Sequence, residues 1–201
     1  MKYKFLFFLL LFALIFSSWR NYNSGNQYNR LLQKGKEALS FCKSNKYNTD
    51  FCILIDMSLP SGKNRAFLWD FKNDSILTSA LCAHGCGSNP WQSTDTKEKP
   101  VFSNTPDSHC TSLGKYKVGK RGCSIYGIKV NYLLYGLENT NSNAIKREIV
   151  FHSWEEVSEK EVYPIGTPEG WGCPAVANSF MKTVDPKLRN SAAPVLLWIF
   201  K

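Results

Sequence analysis

The 201-residue sequence predicts a mainly β protein with a few short helices, a pattern that suits a sandwich or barrel. Three observations carry this. Three short apolar runs between residues 51 and 83 are separated by two polar turns, as in a meander. Two later segments, Lys115-Tyr116-Lys117-Val118 and Ile125 to Val130, alternate in the strand manner. Two further runs, Ile149-Val150-Phe151 ending at His152 and Ala193 to Phe200, are apolar enough to be buried strands.

The elements follow in order. Trp19 to Asn29 is polar and Asn-rich and reads as a linker. Arg30 to Lys43 carries Leu31, Leu32, Ala38, Leu39 and Phe41 at helical spacing, with Gly35 weakening the helix. Phe51 to Ile55 is a buried run, Leu59 to Asn64 a turn, and Arg65 to Asp70 a second strand. Lys72 to Ser75 turns again, and Ile76 to Ala83 is a third strand. Gly85 to Asp107, with three prolines, is a long polar loop, and such loops inside compact domains are often functional. Asn139 to Asn143 is a turn cluster, and Asn178 to Leu188 a short helix. The domain organisation read from this is 1-18 as a targeting segment, 19-50 as linker and short helix, and 51-201 as the folded domain.

Met1 to Lys4 is a short basic start, Phe5 to Phe16 an unbroken apolar run, and Ser17-Ser18 follow. These are the parts of a secretory signal, either removed near Ser18 or kept as a short N-terminal anchor. The expected location is therefore outside the cytoplasm, in the periplasm or cell envelope. Membrane contact is expected only if the segment is retained. Export puts the seven cysteines in an oxidising setting, where six can form three disulfides and leave one thiol free. With 25 Lys+Arg against 16 Asp+Glu the formal charge is +9. The basic residues are scattered, so the charge suits mild attraction to an anionic envelope polymer better than nucleic-acid binding. Cys82, His84, Cys86, His109 and Cys110 offer soft ligands, but Cys-x-His-x-Cys is an unusual zinc spacing, and no metal site is expected.

The chemistry-bearing residues lie 21 positions apart: His152 at a strand end, and Cys173 within Gly170-Trp171-Gly172-Cys173-Pro174-Ala175-Val176. A thiol with a free pKa of about 8.5 needs a base to become a good nucleophile at neutral pH. An imidazole can take that proton and return it to a leaving amine. Gly172 lets the backbone approach a substrate and present N–H groups to an oxyanion. Ser153 is placed to orient the imidazole. Seven cysteines cannot all pair within one chain, and the nucleophile-like surroundings of Cys173 make it the one expected to stay free.

From about Phe51 onward, the sequence resembles the L,D-transpeptidase catalytic domain family. The Trp171-Gly172-Cys173-Pro174-Ala175-Val176 segment resembles its nucleophile motif, and Ile149-Val150-Phe151-His152 its upstream histidine. Ala83-His84-Gly85, Val101 to Pro106, Thr111 to Tyr116 and Tyr135 to Glu138 resemble further segments, in order. Three features depart from the pattern. Gly170 stands where the family usually has Ser, Ser153 where this variant often has Gly, and residues 155–169 lack the usual Gly-Arg.

The resemblance implies a β-sandwich-like fold with the nucleophile in a cleft, and acyl transfer on peptidoglycan stem peptides. In that reading Cys173 is the nucleophile, His152 the base, and Gly172 part of the oxyanion site. Trp171 offers an apolar face to the substrate's diamino acid, and His84 sits near the cleft as a substrate or neighbouring group. No cofactor is implied, and a monomer is expected. The alternatives are a non-catalytic peptidoglycan-binding envelope protein of the same fold and a cell-wall cysteine endopeptidase.

Overall fold

The computed structural model describes residues 25–201. The targeting segment and the first part of the linker lie outside the described residues. Residues 25–45 form helix α1, so the helix starts earlier than its apolar spacing suggests and takes in half of the expected linker. Leu31, Ala38 and Cys42 are its fully buried positions, lying on one face. Gly35 lies on the same face. A Cβ there would come within 2.4 Å of the Trp69 indole nitrogen, so the glycine that weakens the helix lets a large ring press on its backbone.

Nine strands form one mixed sheet. They are β1 (Phe51–Asp56), β2 (Ala66–Asp70), β3 (Ser75–Ala80), β4 (Cys82–Ala83), β5 (Gly114–Cys123), β6 (Val130–Gly136), β7 (Val150–Ser153), β8 (Ala175–Val176) and β9 (Val195–Phe200). Their order is β3-β2-β1-β9-β5-β6-β7-β8-β4. The two edge strands, β3 and β4, are separated in the chain by Leu81 alone, so the sheet curls until it is nearly closed. The β1–β9 and β7–β8 pairs are parallel and the others antiparallel.

The continuous apolar runs are strands buried on both faces. In β1, Phe51, Ile53 and Ile55 point into the main core, while Cys52 and Leu54 point to a second layer under α1. In β9, Val195, Leu197 and Ile199 face inward, and Leu196, Trp198 and Phe200 face α1. Helix α2 (Asn178–Arg189) brings Phe180, Met181, Val184 and Leu188 to the main core.

One sequence expectation fails. Residues 124–129 are the connection of the β5–β6 hairpin, and the strand begins at Val130. Gly127 and Lys129 have φ of 53° and 64°, left-handed values that a strand cannot hold. The apolar alternation of Tyr126 and Ile128 comes from side chains of this connection packing on the core margin.

The expected disulfide set is also corrected, because all seven cysteines are free. Cys42, Cys52, Cys82, Cys86 and Cys110 are buried and pack as small apolar side chains, while Cys123 is exposed and Cys173 is half-buried.

Candidate active site

The parallel pairing of β7 with β8 builds the site. His152 stands opposite Ala175 and Ser153 opposite Val176. Continuing that register two residues back sets Cys173 beside Val150, whose N–H donates to the sulfur at 3.4 Å. Val150, His152, Cys173 and Ala175 therefore share one face, and all four line a cleft of about 350 Å³. The residues 21 positions apart in sequence become diagonal neighbours on adjacent strands.

His152 is 8% exposed. Its Nδ1 lies 3.0 Å from the Ser153 carbonyl, which can only accept, so Nδ1 carries the proton and Nε2 is the basic nitrogen. Ser153 thus orients the ring through its backbone. Its hydroxyl is fully buried and accepts the Ile128 N–H at 3.0 Å. Burial lowers the His152 pKa, opposed by the Ser153 carbonyl and Glu155. Burial raises the Cys173 thiol, opposed by the Val150 N–H and Arg147. Both directions favour a neutral thiol beside a neutral imidazole.

The turn before Cys173 is held at Gly172, with φ of 100°. A Cβ there would lie 2.5 Å from the Cys110 carbonyl oxygen, so only glycine fits. The Gly172 carbonyl accepts the Thr111 hydroxyl at 3.2 Å, which turns it away from the cleft. Among the described residues, neither the Gly172 nor the Cys173 N–H donates to a loop carbonyl. At Gly170, by contrast, an added Cβ meets nothing within 4 Å, so the departure from serine leaves open space.

Trp171 is 62% exposed and lines the cleft. His84 does not line it. The ring is fully buried, with Nδ1 2.8 Å from Arg65 Nη2 and Nε2 2.8 Å from Thr96 Oγ1. Guanidinium only donates, so Nδ1 accepts and Nε2–H donates to Thr96. Burial, aided by Arg65, drives the His84 pKa down to about 3. Of the two places expected for His84, substrate contact or neighbouring group, the buried ring fits only the second, and the His84 carbonyl accepts the Gly170 N–H at 2.7 Å.

Two charged residues that the sequence reading missed organise the site. Arg147 donates to the Ser103 carbonyl at 3.0 Å, and to the Ser112 hydroxyl and the Cys110 carbonyl at 2.5 Å each, tying these loop residues beneath the Cys173 turn. Glu169 is fully buried and accepts the Thr96 N–H at 2.7 Å and the Ser93 hydroxyl at 2.9 Å. Their only signal in the sequence is position, one just before Glu148-Ile149-Val150-Phe151-His152 and the other directly before Gly170. Among the described residues no group of three or more His, Cys, Asp or Glu converges as metal ligands would.

Two solved structures are similar in fold. One is the L,D-transpeptidase (residues 123-326) from Xylanimonas cellulosilytica, at 10% identity and a TM-score of 0.41, covering 75% of this chain and 60% of that one. The other is the helical cell shape determining protein Pgp2 from Campylobacter jejuni, at 10% identity and a TM-score of 0.47, covering 77% and 49%. The chain thus spans 49–60% of the length of these solved chains. No curated protein matches it. Residues 24–198 match the L,D-transpeptidase catalytic domain, a span that takes in α1, all of the sheet but the last two residues of β9, and the cleft with Cys173 and His152. The chain belongs to the L,D-transpeptidase catalytic domain family.

Proposed function

We propose that this protein is a cysteine acyltransferase acting on peptidoglycan stem peptides in the cell envelope. The observation that carries the reading is the β7–β8 register, which puts Cys173 and an imidazole with one uncommitted nitrogen on the same cleft face. His152 Nε2 takes the thiol proton as Sγ attacks the carbonyl of a diamino acid that precedes a terminal D-amino acid. The Gly172 and Cys173 N–H groups receive the negative charge that develops on the carbonyl oxygen. The C–N bond breaks, the leaving amine takes the proton from His152, and a thioester remains on Cys173. A second stem's amine then attacks the thioester to form a cross-link, or water attacks to release the shortened stem. Either step returns the proton to sulfur. Trp171 offers an apolar surface to the substrate in the cleft. The N-terminal segment fits export to the periplasm.

A second reading keeps the fold as a non-catalytic peptidoglycan binder. It is favoured by Gly170 and by the burial that raises the Cys173 thiol. Incubation of the purified protein with disaccharide tetrapeptides separates the two. The enzyme yields cross-linked dimers or tripeptides, and Cys173→Ala abolishes both while remaining folded. Product formation by Cys173→Ala, or none by the parent protein, rejects the catalytic reading.

A further inference from the structure

Six rings run in file, and five of them line the cleft. His109 stacks on Trp171 at 5.2 Å and 20°, Trp171 lies 6.5 Å from Trp91, and Trp91 stacks on Trp154 at 5.6 Å and 19°. Tyr126 continues the file, 6.1 Å from Trp154 and 5.6 Å from His152. Trp154 is 4% exposed and anchors the middle, but Trp91 and Trp171 are 45% and 62% exposed. The core does not need these two indoles. Each is stacked against a neighbour, Trp171 on His109 and Trp91 on Trp154, which limits what is lost in ordering it on binding. Neighbouring large aromatics left in water beside a cleft mark a binding surface. The cleft lining also contains no Lys, Arg, Asp or Glu, so the surface suits a neutral occupant. Asn131 and Ser124 supply uncharged polar groups at its edge.

We propose that Trp91 and Trp171 form a stacking platform for the glycan strand of the substrate, a β-1,4-linked N-acetylhexosamine polymer. A pyranose ring has an apolar face of C–H bonds and a rim of hydroxyls. The first fits the exposed face of an indole, and the second fits water and uncharged polar groups at the edge. The file of rings reaches from the mouth of the cleft to His152, so a sugar held on Trp171 and Trp91 keeps its attached peptide within reach of Cys173. This inference rests on the peptidoglycan reading above and adds to it the part of the polymer that is gripped.

The test is calorimetric titration of the full-length protein with a peptide-free N-acetylglucosamine trisaccharide, beside acylation of Cys173 by a carbapenem. The platform predicts saturable binding in the millimolar range or tighter. It predicts at least a tenfold weakening in Trp91→Ala and in Trp171→Ala, and less than threefold in Trp91→Phe, which keeps a stacking face. Saturation-transfer NMR on the parent protein, which needs no variant, should show the sugar C–H protons receiving magnetisation from the protein. No saturable binding, or unchanged affinity in both folded alanine variants, overturns the platform. The latter result would mean the rings serve the peptide alone. Acylation without sugar binding defeats this inference and leaves the catalytic reading standing. Sugar binding that depends on both tryptophans, without acylation, supports the platform and defeats the catalytic reading.

Discussion

The strand ends at His84 and His152 are alike in sequence and opposite in use. Each histidine ends or closes a short strand, is followed by a small residue, and is buried with its pKa lowered by desolvation. At His84 both nitrogens are occupied, one by Arg65 and one by Thr96, and the ring is sealed. At His152 one nitrogen is occupied by the neighbouring carbonyl and the ring faces the cleft. A general base needs a free lone pair next to the proton it takes. Only the second region has one, although burial and neutrality are common to both.

The largest effect that can break this comparison comes from His152→Ala. Loss of the base is expected to lower acyl transfer by about 10²–10⁴-fold with little change in melting temperature. His84→Ala is expected to do the reverse. It leaves the buried Arg65 guanidinium short of an acceptor and costs roughly 1–3 kcal/mol, read as a melting temperature lower by several degrees. Any loss of activity should follow the fraction folded. Equal kinetic losses in both variants, each fully folded, would erase the distinction between the two histidines.

This contrast marks the limit of what the sequence says. His152 and Cys173 are legible because a motif and a strand end frame them. The continuous apolar runs of β1, β2 and β9 likewise announce strands buried on both faces. His84 is framed by a motif too, yet its role is set by Arg65 and Thr96, 19 and 12 residues away in the chain, through contacts that no local pattern records. Arg147 and Glu169 are hidden for the same reason, since their partners lie in the long loop. The hairpin connection at 124–129 misleads because apolar alternation does not distinguish a strand from a turn that packs its side chains inward. The cysteine count misleads because parity constrains how many thiols can pair, not whether they do.

A smaller effect sharpens the electrostatics. The Cys173 pKa is raised by burial, and that of His152 is lowered. Thiolate forms only as pH climbs past the ordinary thiol value of about 8.5, so alkylation of Cys173 should still be rising there. The neutral base persists as pH falls below the usual histidine value of about 6.5, so the acid limb of kcat/KM should lie below that point. Because Cys123 is an exposed thiol lining the same cleft, the measurement belongs in a Cys123→Ser background. Alkylation that is flat through neutral pH would instead reveal a preformed thiolate–imidazolium pair.

Of the two thiols in this cleft, the proposed function makes Cys173 the nucleophile activated by its neighbours. Peptide mapping by mass spectrometry after treatment with a carbapenem tests this most directly. The expected result is a single covalent adduct on Cys173, formed much more slowly in His152→Ala, with Cys123 unmodified. An adduct on Cys123 with Cys173 intact, or no adduct on a folded protein, would contradict it.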